Sequence, residues 1–112
     1  MTLHYYESAA GKNLILDYIE SLPKDEQIDA FSVLQCLEEG HMDRVRFKQW
    51  KGKIYEVYFY KHNRIFYVTA DGENMYLLHS CRKQKGKTEK TDRIAVLSRA
   101  KELSRELGKK FV

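Results

Sequence analysis

The stretch IYEVYFYKHNRIFYVTADGENMYLLHSCR, residues 54–82, decides the fold. It is rich in β-branched and aromatic residues and is broken twice by turn formers. Residues 54–60, 64–70 and 74–82 therefore read as three strands. His62-Asn63 lies between the first two at hairpin spacing. Asp71-Gly72 marks the second turn, because both residue types tolerate a positive φ. Strands joined this tightly must be antiparallel neighbours. Just upstream, Val45 and Phe47 alternate with Arg44, Arg46 and Lys48, a two-residue period that adds a half-buried strand, and Lys51-Gly52 supplies its turn.

Ahead of Arg44 the period is helical. Leu14, Ile15, Tyr18, Ile19 and Leu22 would line one face of a helix over 12–21, which Pro23 ends. Ile28, Phe31, Leu34 and Leu37 repeat the pattern over 24–39, with Asp25 and Glu26 at the positive end of the helix dipole and Gly40 as the stop. Leu3, Tyr5 and Tyr6 favour a short strand over 2–6. Past residue 82 comes a basic loop, 83–88. Thr88 is placed to cap a last helix over 89–107, with Ile94, Leu97, Ala100, Leu103 and Leu107 as its apolar face. The expected fold class is α+β, in the order β-α-α-β-β-β-β-α. Its simplest packing is a twisted, mainly antiparallel sheet with helices on one face.

At 112 residues, 43% hydrophobic and 32% charged with one proline, the chain reads as one globular domain over 1–112. It has no apolar run of membrane-spanning length and no secretory leader pattern at its start, so a cytoplasmic location is expected. Cys36 and Cys81 form no Cys-x-x-Cys pair, and reduced thiols are expected rather than a disulfide or a zinc site. The net charge of +4 conceals a segregation. Residues 1–43 hold two Lys/Arg against nine Asp/Glu, whereas residues 44–93 hold thirteen against five. The basic part points to a polyanionic partner, with a merely solvated surface as the alternative.

The segment from Lys53 to Leu103 resembles the RelE/HigB toxin superfamily, and within it the phage-derived HigB-like branch. The resemblance rests on Tyr55-Glu56-Val57-Tyr58, on Asn63-Arg64-Ile65-Phe66-Tyr67, and on the run Leu77-Leu78-His79-Ser80-Cys81-Arg82-Lys83-Gln84-Lys85-Gly86-Lys87-Thr88. The helical pair with Leu22-Pro23 at its joint fits the same order, so the likeness covers nearly the whole chain. Tyr58 stands where the family has an arginine, Ser80 and Cys81 where it has glycine and phenylalanine, and Gln84 where it has a lysine. The resemblance implies a RelE-like fold and a toxin that cuts mRNA in the ribosomal A site. It implies as partners the ribosome, mRNA and a small helix-turn-helix antitoxin bound as a toxin–antitoxin hetero-oligomer. Two alternatives stay open: a ParE-like gyrase poison, and a non-toxic phage-derived RNA-binding protein.

RNA can be cut without metal or cofactor, because its own 2′-hydroxyl attacks the phosphate. The sequence offers no paired carboxylates, no metal-spaced His/Cys set and no Ser/His/Asp arrangement. A cation-driven ribonuclease suits it best. Arg64 and Arg82 are the candidate catalytic cations, since a guanidinium matches a phosphate. Arg64 is expected at an edge beside a turn, and either Arg82 or Lys83 must share its side. Lys83, Lys85 and Lys87 would contact backbone phosphate, and Tyr58 would stack on a base or donate to phosphate. His79 is either a proton-transfer group or a packed histidine sharing a face with Leu77 and Met75. Glu56 is a candidate base or, alternatively, a structural partner of Arg64 or Lys48. His4, His41 and His62 are expected to be exposed, and Trp50 to sit at the core edge or on a stacking surface.

Overall fold

The computed structural model describes residues 1–83 and 88–112. The chain runs β1 (Thr2–Tyr5), α1 (Leu14–Glu20), α2 (Lys24–Glu39), a 3-10 turn (Met42–Arg44), β2 (Arg46–Lys51), β3 (Ile54–Phe59), β4 (Asn63–Thr69), β5 (Asn74–Arg82) and α3 (Lys90–Leu107). The expected α+β class and element order hold. The strands form one sheet in the order β1-β5-β4-β3-β2. β2 to β5 pair antiparallel, and β1 adds parallel to β5. No helix among the described residues is long and apolar enough to cross a membrane.

Local signals set the helix ends. The Asn13 side chain accepts from the Leu16 amide at 3.0 Å and caps α1. Gly40 ends α2 in the left-handed conformation. Gly52 is required for a different reason. It has φ +56° and lies against the C-terminal segment, so a Cβ there would sit 2.6 Å from the Phe111 carbonyl oxygen. That approach lets the Lys53 amide donate to the same oxygen at 2.7 Å.

Both faces of the sheet are covered, which corrects the expectation of helices on one face. α1 and α2 bury Ile15, Ile19, Ala30, Leu34 and Leu37 against Val57, Phe59, Ile65, Tyr67, Met75 and Leu77. α3 buries Val96, Ala100 and Leu103 against Ile54, Phe66, Val68, Leu78 and Cys81 on the other side. The reason lies in β4: Ile65-Phe66-Tyr67-Val68 is a continuous apolar run, the mark of a strand buried on both faces. The helix stripes shift accordingly. Ile28 and Phe31 of α2, and Ile94 and Leu107 of α3, point outward. α3 is not capped by Thr88. Glu89 precedes it without a side-chain cap, and the Thr88 hydroxyl instead accepts from the Trp50 indole at 3.1 Å.

One irregularity in β5 governs the site. Phe66 pairs with His79 but Tyr67 pairs with Leu77, so Leu78 is an extra residue in the ladder. Such a bulge reverses the facing of every later residue on its strand. His79 therefore leaves the side of Leu77 and Met75 and turns toward α3, ring to ring with Phe66 at 6.5 Å.

Candidate functional site

Directly paired residues in an antiparallel sheet share a face. The register thus draws two adjacent rows across the α3 face: Arg46, Tyr58, Arg64 and Cys81 in one, Lys48, Glu56, Phe66 and His79 in the other. Arg46 lies 5.6 Å from the centroid of the Tyr58 ring and Lys83 lies 5.2 Å from it. The Tyr58 hydroxyl donates to Glu56 Oε1. Glu56 Oε2 accepts from Arg64 Nη1 at 2.7 Å, and Lys48 Nζ stands 3.8 Å from Oε1. Burial, and then the Glu56 contact, push the Tyr58 hydroxyl pKa well above the usual phenol range.

Arg64 is 2% exposed. It is not at an edge, since β4 lies between β3 and β5. Its guanidinium pairs with buried Glu56 and sits 5.1 Å from the Phe66 ring centroid. Glu56 thus contacts both Arg64 and Lys48. Arg82 does not join this group. The bulge turns it to the opposite face, where it donates to Glu26 at 2.8 Å and to the Lys61 carbonyl at 3.0 Å. Asn63 donates to the same Glu26 carboxylate at 2.7 Å. Its hydrogen bond and the Arg82 charge hold that carboxyl below the ordinary range. Lys83 is the residue of the pair that shares the side of Arg64. Lys85 and Lys87 lie outside the described residues.

A groove of about 1320 Å³ runs along this edge of the sheet. Arg44, Arg46, Lys48, Lys61 and Lys83 line it together with Phe47, Tyr58, Tyr60 and His62, and Asp29 is the one acidic residue among its described lining. Phe47 and Tyr60, both in this lining, are each nearly half exposed. Cations interleaved with exposed rings suit a single-stranded nucleic acid, whose phosphates need charge and whose bases need flat apolar surfaces. Reading the sequence for function missed Arg46 and Lys48, which the alternation marked only as the polar face of a strand. Their pairing with Tyr58 and Glu56 makes them part of the site.

His79 is anchored to α3. Its Nδ1 lies 3.0 Å from Arg99 Nη1 and its Nε2 lies 2.8 Å from Asp92 Oδ1. A guanidinium only donates, so Nδ1 accepts and Nε2 carries the proton toward Asp92. The ring is neutral. Burial lowers its pKa, the Asp92 hydrogen bond opposes that, and the Arg99 charge lowers it further. His79, Cys81 and Asp92 bring ligand atoms within 4.8 Å of one another. A nitrogen, sulfur and oxygen set suits zinc in kind. Here, however, Arg64 and Arg99 already add positive charge at His79. Burial pushes the Cys81 thiol up to about 12. The cluster reads as a hydrogen-bonded clasp between β5 and α3. The sequence signal for it was two charged residues, Asp92 and Arg99, in line with the buried stripe Val96, Ala100 and Leu103. His4 likewise departs from expectation, half-buried and stacked on Tyr76 at 4.4 Å.

The clasp gives a pH prediction. With its folded pKa depressed, His79 binds a proton less readily in the native than in the unfolded chain. Stability is therefore full above the ordinary value of 6.5 and declines as pH falls from there toward the lower folded pKa. Tm measured across that window should fall in the wild type and fall less in His79→Gln. A wild-type Tm that rises on acidification through the window would contradict the assignment.

A family model described as "Phage derived protein Gp49-like (DUF891)" matches residues 17–101. That span includes β2 to β5, hence both cross-strand rows, and most of α3. No curated protein matches the chain. With this match over most of its length, the chain belongs to the Gp49-like family of phage-derived proteins, a family of the RelE/HigB toxin kind.

Proposed function

We propose that the protein is the toxin of a type II toxin–antitoxin pair and a ribosome-dependent endoribonuclease that cleaves mRNA without a metal. The observation that carries this reading is the groove in which Arg46, Lys48 and Lys83 surround Tyr58. Family membership supports the toxin assignment and, with it, an antitoxin partner, read as a small helix-turn-helix protein. In the cleavage step the RNA 2′-hydroxyl attacks its own phosphate, and the groove cations stabilise the added negative charge on phosphorus. Arg64 is too buried to touch that phosphate. Its role is to hold Glu56, and through it the Tyr58 hydroxyl, in place. Arg82 keeps α2 against the β3–β4 turn, which leaves Arg46 and Lys48 to take the phosphate role. Lys85 and Lys87 extend the backbone contacts.

The test is induced expression followed by mapping of mRNA 5′ ends. The expected result is growth arrest with new ends inside translated messages. Arrest with intact messages and inhibited gyrase supercoiling would give the ParE-like reading instead, and no arrest would give a non-toxic RNA-binding protein. RNA affinity should also weaken steeply with salt, by a log–log slope of roughly −0.7 for each phosphate neutralised.

A further inference from the structure

We propose that Tyr58 and Glu56 act as a two-residue proton relay for RNA cleavage. This inference rests on the ribonuclease reading above. Glu56 is completely buried, so its carboxylate cannot meet a substrate directly. One of its oxygens is taken by Arg64 at 2.7 Å; the other accepts the Tyr58 hydroxyl. Tyr58 lines the groove, so its hydroxyl is the route from the buried carboxylate to bound RNA. The arrangement is that of a base acting through an intermediary, with a third group orienting the base. Arg64 is that orienting group, and the Lys48 ammonium at 3.8 Å adds a second fixed positive charge beside the carboxylate.

The 2′-oxygen forms its bond to phosphorus and the bond from phosphorus to the 5′-oxygen breaks. The Tyr58 oxygen takes the 2′ proton while its own proton passes to Glu56. The leaving 5′-oxygen takes a proton from the ammonium of Lys83, which stands over the Tyr58 ring. The products are a 2′,3′-cyclic phosphate and a 5′-hydroxyl. Glu56 then returns its proton through Tyr58, and Lys83 recovers one from water.

The experiment is single-turnover mRNA cleavage on purified ribosomes by wild type and Tyr58→Phe, in mixtures of light and heavy water. RNA affinity and a thermal melt are measured for each protein. Tyr58→Phe keeps the ring and its cation contacts, so its fold and RNA affinity should persist while the cleavage rate drops on the order of 100-fold. The wild-type rate should curve with deuterium content, since three protons move in the step, and the variant's should curve less, having lost the Tyr58 and Glu56 transfers. Glu56→Gln should show the same loss, and Tyr58→Phe carries the test alone if that variant does not fold. A Tyr58→Phe protein that cuts at the wild-type rate, or a wild type with a linear dependence, overturns the relay and leaves the ribonuclease reading standing. A wild type that cuts no RNA overturns both.

Discussion

Arg64→Ala is expected to lower stability by about 3–5 kcal/mol, because it leaves the Glu56 carboxylate buried without its counter-charge. For a chain of this size that is a Tm fall of roughly 15 °C or more. Both partners are buried, so water cannot replace the lost guanidinium. Lys48 is too exposed and, at 3.8 Å, too distant to compensate in full. The cavity beside Phe66 adds to the cost. The double variant Arg64→Met with Glu56→Met should recover most of the loss, since neither buried charge then needs compensation. Denaturant unfolding of the three proteins measures this. An Arg64→Ala protein within about 0.5 kcal/mol of wild type would show that the pair is not structural, since a change of that size is ordinary for a surface site.

The burial of Arg64 differs from the edge position that the sequence alone implied, and the difference shows where local signals stop. The strand pattern of 54–82 and the helix over 24–39 were legible because turn residues and apolar periods are local. Asp71-Gly72 and Gly40 fall where the chain turns and where α2 stops. Facing was less legible, because it depends on pairing. Nothing local announces the extra residue Leu78, yet that single bulge moves His79 to α3 and Arg82 away from Arg64. The burial of Arg64 also depends on a partner eight residues earlier, across the β3–β4 hairpin. The second covered face was visible in principle. The unbroken run Ile65–Val68 has no polar side, and a strand without a polar side needs cover on both.

The groove cations should behave oppositely to Arg64. Arg46 and Lys48 are exposed and Lys83 is half-buried, so changing all three to glutamine should move stability by only about 1 kcal/mol. Their loss should nevertheless reduce cleavage by on the order of 1,000-fold, since removal of even one preorganised donor typically costs about 100-fold or more. The salt slope of RNA binding should also become shallower by roughly 2, at about 0.7 for each lost contact. Stability and activity thus separate within one sheet face. The buried pair holds the site together, and the exposed cations meet the substrate.

The most direct measurement is single-turnover cleavage of end-labelled mRNA on purified ribosomes, comparing wild type with the Arg46→Gln, Lys48→Gln, Lys83→Gln triple variant. The expected result is a wild-type 5′ fragment ending in a 2′,3′-cyclic phosphate, and almost none from an equally stable triple variant. Intact mRNA with the wild type, or wild-type cleavage by the triple variant, would contradict the assignment of this groove as the site of RNA cleavage.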